Sequence, residues 1–377
     1  MNKLKIYADH AATTPLSPTA LEAMQPFLEQ EYGNPSTVYS LARRPRKAIN
    51  DARALIAEAI NADPSEVYFT SGGSESDNLA IKGIAFRFLG QKKRFITSSI
   101  EHHAVLHSFD ALRRYGFSTT ELPVDREGVI QCDELCAALT PDTALVSIML
   151  ANNEIGTIEP VQALAEIAHA NGAIFHTDAV QAVGHIPIDV KALGVDLLSA
   201  SAHKFNGPKG VGFLYVRNGM ALEPLIHGGG QESGMRSGTE NVAGIVGMAA
   251  ALKEHAGKLD AEARYLNLLQ KKFINGLRAK GLDFIENGSV NRIPGNVSLS
   301  FANASGEMLL HRLDLMGISI ATGSACNSKE TTVSHVIQAI GVPEKYANGT
   351  IRVSFGPENT EDEVLTIIDG IHRILNP

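Results

Sequence analysis

The sequence predicts an α/β protein with a mainly parallel central sheet and a second, smaller α+β domain. From about residue 51 to residue 216, short apolar segments alternate with amphipathic helical segments. This alternation is typical of a parallel sheet that is covered by helices on both faces. In the C-terminal part the pattern changes, because Asn296–Phe301 and Ile351–Phe355 alternate in polarity like half-buried strands.

Local patterns predict each element in turn. The strands of the large domain are short and rich in β-branched or aromatic residues, and they are Val67–Ser71, Arg94–Ser98, Ala144–Met149, Ala173–Thr177, Leu197–Ser199 and Gly212–Val216. The helices carry apolar residues at helical spacing, and they are Asp77–Phe88, His102–Tyr115, Val161–Asn171, a long helix near Val242–Gly276, Glu307–Met316 and Glu361–Leu375. We expect a large domain at residues 15–255 and a small domain formed by residues 1–14 and 256–377.

The composition excludes several classes of protein. The 377 residues carry 33 Lys+Arg and 41 Asp+Glu, a net charge of −8, which argues against a protein that coats nucleic acid. We expect no membrane association, because no apolar run is as long as a membrane span. The N-terminal segment has no apolar core of a signal peptide. Three cysteines are too few for a disulfide scaffold, so a cytoplasmic location is expected.

A turn of small residues follows the first strand of the large domain. Thr70–Asn78 contains Gly73 and Ser74 and leads from a strand into a helix. Glycines permit a close approach of the backbone, and the N-terminus of a helix presents unpaired N–H groups with the positive end of a dipole, so this turn could bind a phosphate. A tight turn with an N-capping side chain explains the local sequence at least as well.

Two ionisable residues follow later strands. Asp178 ends an apolar strand, where open α/β sheets bind ligands, although an N-cap is an equally good interpretation. Lys204 follows another strand, where partial desolvation would favour a nucleophilic amine, although most lysines are simply solvated. Together with the phosphate turn, the two residues form the set that pyridoxal phosphate requires, namely N–H groups for the phosphate, a carboxylate for the pyridine nitrogen and an amine for the aldehyde.

Cys326 and a histidine cluster are further candidates for a chemical role. Cys326 stands among small polar residues and beside Lys329, which suits an exposed, reactive thiol better than a buried one. Cys132 and Cys136 are predicted to be packing residues of a helix. Glu101-His102-His103 with His107 resembles a metal cluster, but no further ligands are suitably spaced, so we expect no metal site.

Nearly the whole chain resembles the cysteine desulfurases of the class V aminotransferase group. The resemblance rests on the order and joint presence of several motifs, which are Tyr7–Pro15, Tyr32–Ser36, Ser71–Asn78, Glu101-His102, Asn152–Gly156, Asp178–Gln181, Ser201–Lys204, Gly234–Thr239 and Arg352. It implies fold type I of the pyridoxal-phosphate enzymes, with a mainly parallel seven-stranded sheet in the large domain. The motif Gly323–Cys326 is similar to that of the branch with a longer cysteine loop, which serves iron–sulfur cluster assembly, nitrogenase maturation and tRNA thiolation.

The resemblance also implies a role for each matching residue. Lys204 would bind the cofactor aldehyde covalently, Asp178 would hold the pyridine nitrogen, Gln181 would bind the ring hydroxyl, and His102 would stack on the ring and assist proton transfer. Gly73, Ser74, Ser201 and His203 would bind the phosphate, Thr239 would reach the phosphate of the neighbouring subunit, and Asn153 and Arg352 would hold the substrate carboxylate. Cys326 would accept the sulfur.

The expected activity is therefore conversion of L-cysteine to L-alanine, with a persulfide formed on Cys326. The expected partners are a second copy of the chain, because Thr239 would complete the neighbouring site, and a sulfur-acceptor protein of unknown identity. No direct contact with nucleic acid is expected. A selenocysteine lyase or another class V aminotransferase is the alternative, although a transaminase has no need of the loop cysteine. A non-catalytic carrier that kept the fold is a further alternative, against which Lys204, Asp178 and Cys326 all count.

Overall fold

The computed structural model describes residues 5–322 and 333–376. The strands are β1 Ile6–Tyr7, β2 Val67–Thr70, β3 Arg94–Ser98, β4 Ser118–Leu122, β5 Thr143–Ser147, β6 Ile174–Asp178, β7 Leu197–Ser201, β8 Gly212–Val216, β9 Phe284–Asn287, β10 Asn296–Phe301, β11 Ile318–Ser319 and β12 Thr350–Ser354. The α-helices are α1 Pro18–Glu29, α2 Arg43–Ala59, α3 Gly73–Arg87, α4 His103–Arg114, α5 Cys132–Ala138, α6 Val161–Ala170, α7 Val190–Leu193, α8 Val242–Ala256, α9 Leu259–Ala279, α10 Gly306–Leu315, α11 His335–Ala339, α12 Glu344–Ala347 and α13 Glu361–Leu375.

The central sheet has seven strands in the order β2-β8-β7-β6-β5-β3-β4. Only β8 runs antiparallel to its two neighbours, and all other pairs in this sheet are parallel. The predicted mainly parallel α/β fold is therefore confirmed. The residue pattern had indicated six of the seven strands. It missed β4, the edge strand Ser118–Leu122, because four of its five residues are polar and only Leu122 is fully buried.

The predicted long helix near Val242–Gly276 is wrong, because the chain forms two helices with a break at Gly257-Lys258. The two helices serve different cores. Helix α8 packs on α1 and α2 and contributes Ile245 and Met248 to the core of the large domain. Helix α9 packs on α13 and contributes Leu269 and Phe273 to a separate core. The break therefore lies where the chain passes from one core to the other, close to the expected domain boundary, which stays a prediction.

The second core contains residues from both ends of the chain. Strand β1 pairs in parallel with β11, which places Ile6 and Ala8 in the same core as Val297 and Leu299 of β10. The N-terminal segment and the C-terminal part of the chain thus bury one common apolar surface. The expected small domain, residues 1–14 and 256–377, stays a prediction.

The strands β10 and β12 are buried along their whole length, so the expectation that they are half-buried is wrong. Their alternation is real, because the apolar side chains face the second core while the polar ones are hydrogen-bonded on the other face. Asn287 Nδ2 donates to Ser300 Oγ at 2.8 Å, and Ser300 Oγ lies 2.7 Å from Thr350 Oγ1. On the same face, Arg352 reaches the backbone of the large domain.

The two cysteines of α5 differ in their exposure. Cys132 is partly buried against the large core, but Cys136 is exposed, so the prediction that both are packing residues is wrong for Cys136.

Among the helices of the described residues, none is both long and apolar enough to cross a membrane.

Candidate active site

A cavity of about 650 Å³ lies at the carboxyl ends of the parallel strands, between the large sheet and β12. Open α/β sheets bind ligands at this edge. Ten of the twelve residues predicted for the site line the cavity, and they are Gly73, Ser74, His102, Asn153, Asp178, Gln181, Ser201, His203, Lys204 and Arg352. The fold therefore brings together residues that lie far apart in the sequence, from Gly73 to Arg352.

Lys204 lies in a short 3-10 helix, Ala202–Lys204, that directly follows β7. Its Nζ donates hydrogen bonds to the backbone oxygens of Ala11 at 2.6 Å and Ala12 at 2.8 Å. Its own backbone oxygen lies 2.9 Å from Nε2 of His185, so both ends of the residue are held. The N-terminal segment thus positions the amine at the cavity wall, where it can meet an aldehyde.

Asp178 ends β6 and is 5% exposed. Its Oδ1 accepts a hydrogen bond from the backbone N–H of Val180 at 2.9 Å. Burial raises the pKa of this carboxyl to about 6, because the charged form loses its hydration. A cationic nitrogen in the cavity would stabilise the ionised form. This environment fits the protonated pyridine nitrogen of pyridoxal phosphate.

The turn between β2 and α3 forms a cradle for an anion. Gly72 has φ +144°, a backbone conformation that glycine adopts readily. A Cβ added to Gly73 would lie 2.6 Å from Cγ2 of Val180, so this position has room only for glycine. Helix α3 begins here with Gly73 and Ser74 at the cavity. Its N–H groups and dipole favour a phosphate, so the residues present fit the phosphate of the cofactor.

His203 lines the same cavity as Gly73 and Ser74. Its Nδ1 lies 3.2 Å from Oγ1 of Thr13. Burial, with a further contribution from Lys204, lowers its pKa to about 4. The ring is therefore neutral near pH 7 and can serve a phosphate as a hydrogen-bond donor.

His102 is the N-cap of α4. Its Nδ1 accepts a hydrogen bond from the backbone N–H of Ala104 at 3.1 Å, so in this arrangement the ring hydrogen is on Nε2. Burial, then the charge of Lys204, lowers the pKa of His102 to about 4. The ring is thus neutral near pH 7, which suits stacking on a planar ligand and donation from Nε2.

Arg352 has a buried donor that the described residues leave unsatisfied. The side chain is on β12, and the residue is 5% exposed. Nη1 donates to the backbone oxygen of Asn153 at 2.9 Å, and Nη2 donates to Oδ1 of Asp9 at 2.6 Å. Nε has no hydrogen-bond partner among residues 5–322 and 333–376. Buried donors are normally paired, and a carboxylate bound in the cavity would pair this one.

The comparison with known proteins agrees with this geometry. The family model described as "Aminotransferase class-V" matches residues 6–367. The chain belongs to this family. Class-V aminotransferases of this kind are pyridoxal-phosphate enzymes of fold type I, so the predicted fold and cofactor are confirmed.

Relatives of the chain are similar over almost its whole length. "Cysteine desulfurase IscS" of Dictyoglomus turgidum is 51% identical, with 99% of this chain and 95% of the relative covered. The protein of the same name from Methanosarcina thermophila is 47% identical, with 98% and 92% covered. A solved structure described as a NifS-like protein superimposes with a TM-score of 0.93 at 40% identity, with 99% of each chain covered. A structure described as SspA in complex with cysteine has a TM-score of 0.83 at 38% identity, with 94% of this chain and 100% of that chain covered.

Two of the residues predicted for the site are not among the described residues that line the cavity. Thr239 is exposed and does not line the cavity, so its contact with a neighbouring subunit stays a prediction. Cys326 lies outside the described residues. Thr322 and Val333, the last and first described residues on its two sides, both line the cavity.

Several other cavity residues belong to motifs that were noted in the sequence, but no role in the site was predicted for them. Glu101, which is fully buried, accepts hydrogen bonds from Ser98 Oγ at 2.6 Å and from the backbone N–H of Met149 at 3.0 Å. Burial raises the pKa of Glu101 well above its usual range. Burial, then the charge of Asp178, does the same for Asp77. The sequence feature that could have indicated a role is a carboxylate in an apolar context. Glu101 lies just after the apolar strand β3, and Asp77 lies within the helix α3.

Glu154, Ser334 and His335 also line the cavity, and no role in the site was predicted for them. Ser334 Oγ donates to Glu154 Oε2 at 2.6 Å, and burial raises the pKa of Glu154 to about 7. The ring of His335 lies 4.9 Å from that of His103, which stacks on His107 at 5.0 Å. In the described part of the chain, no group of three or more metal-binding side chains has the arrangement that a metal ion needs.

Proposed function

We propose that this protein is a pyridoxal-phosphate-dependent cysteine desulfurase, which converts L-cysteine to L-alanine and stores the sulfur as a persulfide on Cys326. The observation that carries the proposal is the convergence of Lys204, Asp178 and the unsatisfied Arg352 on one cavity. These side chains fit the aldehyde, the ring nitrogen and the substrate carboxylate, respectively. The relatives named cysteine desulfurase and the structural neighbour solved with cysteine support the choice of substrate.

Different residues of the chain would orient the substrate and move its Cα proton. When bound, pyridoxal phosphate supplies an electron sink that stabilises negative charge at the substrate Cα. Arg352 Nε and the side chain of Asn153 would hold the substrate carboxylate, which fixes the Cα–H bond near Lys204. Lys204 would remove the proton from Cα and later return one, and its Nζ would leave Ala11 and Ala12 to do so.

The sulfur transfer balances without any external oxidant. The thiolate of Cys326 attacks the substrate sulfur, so an S–S bond forms while the Cβ–S bond breaks. The electron pair of the broken bond remains with the carbon skeleton, which takes up a proton and leaves as alanine. The products are alanine and a Cys326 persulfide, from which an acceptor thiol can later remove the terminal sulfur.

Peptide mass spectrometry tests the proposal directly. The pure protein is given L-cysteine under anaerobic conditions, and the peptide that contains Cys326 is expected to gain one sulfur atom while alanine accumulates. Alanine without a persulfide on Cys326 would instead support a lyase. Transfer of the amino group to an added 2-oxo acid would support an aminotransferase.

The proposal also covers the oligomeric state, the location and the sulfur acceptor of the enzyme. We propose that the enzyme is a cytoplasmic homodimer, in which Thr239 of each subunit contacts the cofactor phosphate of the other. The exposure of Thr239 in the single chain supports this role. We further propose that a separate acceptor protein receives the sulfur for iron–sulfur cluster assembly or for thiolation of tRNA or cofactors, as the IscS naming of the relatives suggests.

A further inference from the structure

The glycine-rich loop His227–Gly238 is held in a strained conformation. Within it, Glu232 has φ +49° and Ser233 has φ +55°. Residues other than glycine or asparagine rarely adopt this left-handed region, because it is strained for a side chain with a Cβ, and they keep it only where their surroundings enforce it. Two consecutive residues of this kind indicate that side-chain contacts fix the loop.

Glu232 fastens the loop to β2. Its side chain is buried, and its carboxylate pairs with both terminal nitrogens of Arg53, at 2.7 and 2.8 Å. Oε2 also accepts the backbone N–H of Phe69 at 2.9 Å. The guanidinium of Arg53 lies 4.5 Å above the ring of Phe69 and donates to the backbone oxygen of Val67. Removing the carboxylate would leave Arg53 and the Phe69 N–H without this buried partner.

A second ion pair fastens the loop to the start of α3. Nε of Arg236 donates to Oε1 of Glu75 at 2.8 Å, and both side chains are partly buried. Glu75 lies in the first turn of α3, and its Oε2 accepts the backbone N–H of Ser71 at 2.9 Å. The loop is therefore attached on both sides of the turn that contains Gly73 and Ser74.

We infer that Glu232 and Arg236 are positioning residues, which set the spacing between the end of β2 and the start of α3 and so shape the phosphate cradle. The inference rests on the proposed function, because it requires pyridoxal phosphate to occupy the cavity. Neither side chain lines the cavity, so both act through the backbone of the turn. Because Thr239 follows the same loop, the two anchors also hold Thr239 in place.

Cofactor binding with and without the phosphate group tests this inference. The full-length apoprotein is titrated with pyridoxal phosphate and with pyridoxal, and both are followed by absorbance. Both ligands can link to Lys204 through their aldehyde. The dissociation constant for pyridoxal divided by that for pyridoxal phosphate therefore measures the contribution of the phosphate, and this ratio is compared between variants. For Glu232→Gln and for Arg236→Gln, we expect this ratio to shrink by about tenfold or more, because a displaced cradle loses hydrogen bonds to the phosphate. Affinity for pyridoxal should change little.

The controls separate this inference from the proposed function. Lys272→Gln, which removes a partly exposed ion pair with Glu361, should keep the parent ratio. If Glu232→Gln does not fold, the result for Arg236→Gln decides, because its ion pair is closer to the surface. An equal loss of affinity for both ligands, or an unchanged ratio, overturns the inference and leaves the proposed function intact. A parent protein that binds both ligands equally overturns the cofactor assignment itself.

Discussion

At the scale of single residues, the amine of Lys204 is the group on which turnover depends. We expect Lys204→Ala to fold normally and to lose alanine formation by at least about a hundredfold, the range for removal of a group that moves protons. The measurement is alanine release from L-cysteine. Lys209→Ala, at an exposed lysine five positions later, should retain parental activity. Parental turnover in Lys204→Ala would remove this residue from the mechanism.

The thiol of Cys326 has a separable role. We expect Cys326→Ser to keep the absorbance of the bound cofactor but to form no persulfide when L-cysteine is added, because a hydroxyl oxygen cannot hold the transferred sulfur. The check combines an absorbance spectrum with mass spectrometry of the whole protein. Cys136→Ser provides the matched control, since Cys136 is an exposed cysteine that does not line the cavity. A persulfide on the Cys326→Ser protein would contradict the assignment.

The predictability of site residues from sequence depended on their local context. Lys204 and Asp178 follow apolar strands, so their position at the ligand edge could be predicted from the sheet topology. Glu101 and Glu154 belong to motifs that were singled out, but their burial depends on contacts with Met149 and Ser334 that only the fold creates. The unsatisfied Nε of Arg352 likewise has no signal in the sequence.

At the scale of elements, predictions succeeded where burial and periodicity agreed. Strand β3 and helix α13 were predicted with their observed bounds, because each has a clear apolar period. Strand β4 was missed because it is a polar edge strand, paired only with β3. Helices α8 and α9 were predicted as one, because helical spacing continues across Gly257 although the two apolar faces serve different cores.

A buried carboxylate between elements makes the stability of the fold depend on pH. Glu159 precedes α6 and accepts the backbone N–H of Ile130 before α5 at 3.0 Å. Burial raises its pKa from 4.5 to about 8. The folded chain therefore holds this proton more tightly than the unfolded chain, and the contribution of Glu159 to the free energy of unfolding falls as pH rises from about 4.5 to about 8.

Glu159→Gln should remove that pH dependence. We expect the melting temperature of the variant, relative to the parent, to rise by roughly 2 °C or more between about pH 6 and about pH 9. Thermal unfolding of the two proteins across this range measures the difference. Glu166→Gln, which changes an exposed glutamate on α6, should show no such trend. A constant difference between parent and Glu159→Gln would mean that Glu159 is already ionised in the folded chain.

At the scale of the whole molecule, the site joins parts of the chain that belong to separate cores. Lys204 is held by the N-terminal residues Ala11 and Ala12, and Arg352 reaches across to Asn153. The cavity is thus lined by residues of the N-terminal segment, of the central sheet and of β12. Only the dimer would add the last predicted contact, from Thr239, and this contact can be tested by complementation.

Two inactive variants should restore activity in a mixed dimer. Lys204→Ala removes the amine of its own site, and Thr239→Asp places a negative charge beside the phosphate of the neighbouring site. In a mixed dimer, the subunit with Thr239→Asp keeps Lys204 and receives Thr239 from its partner, so one of the two sites is complete. Unfolding and refolding an equal mixture should restore about a quarter of the parental activity, since half of randomly paired dimers are mixed and each has one complete site. If Thr239 instead served its own subunit, both sites of the mixed dimer would be defective and the mixture would stay inactive.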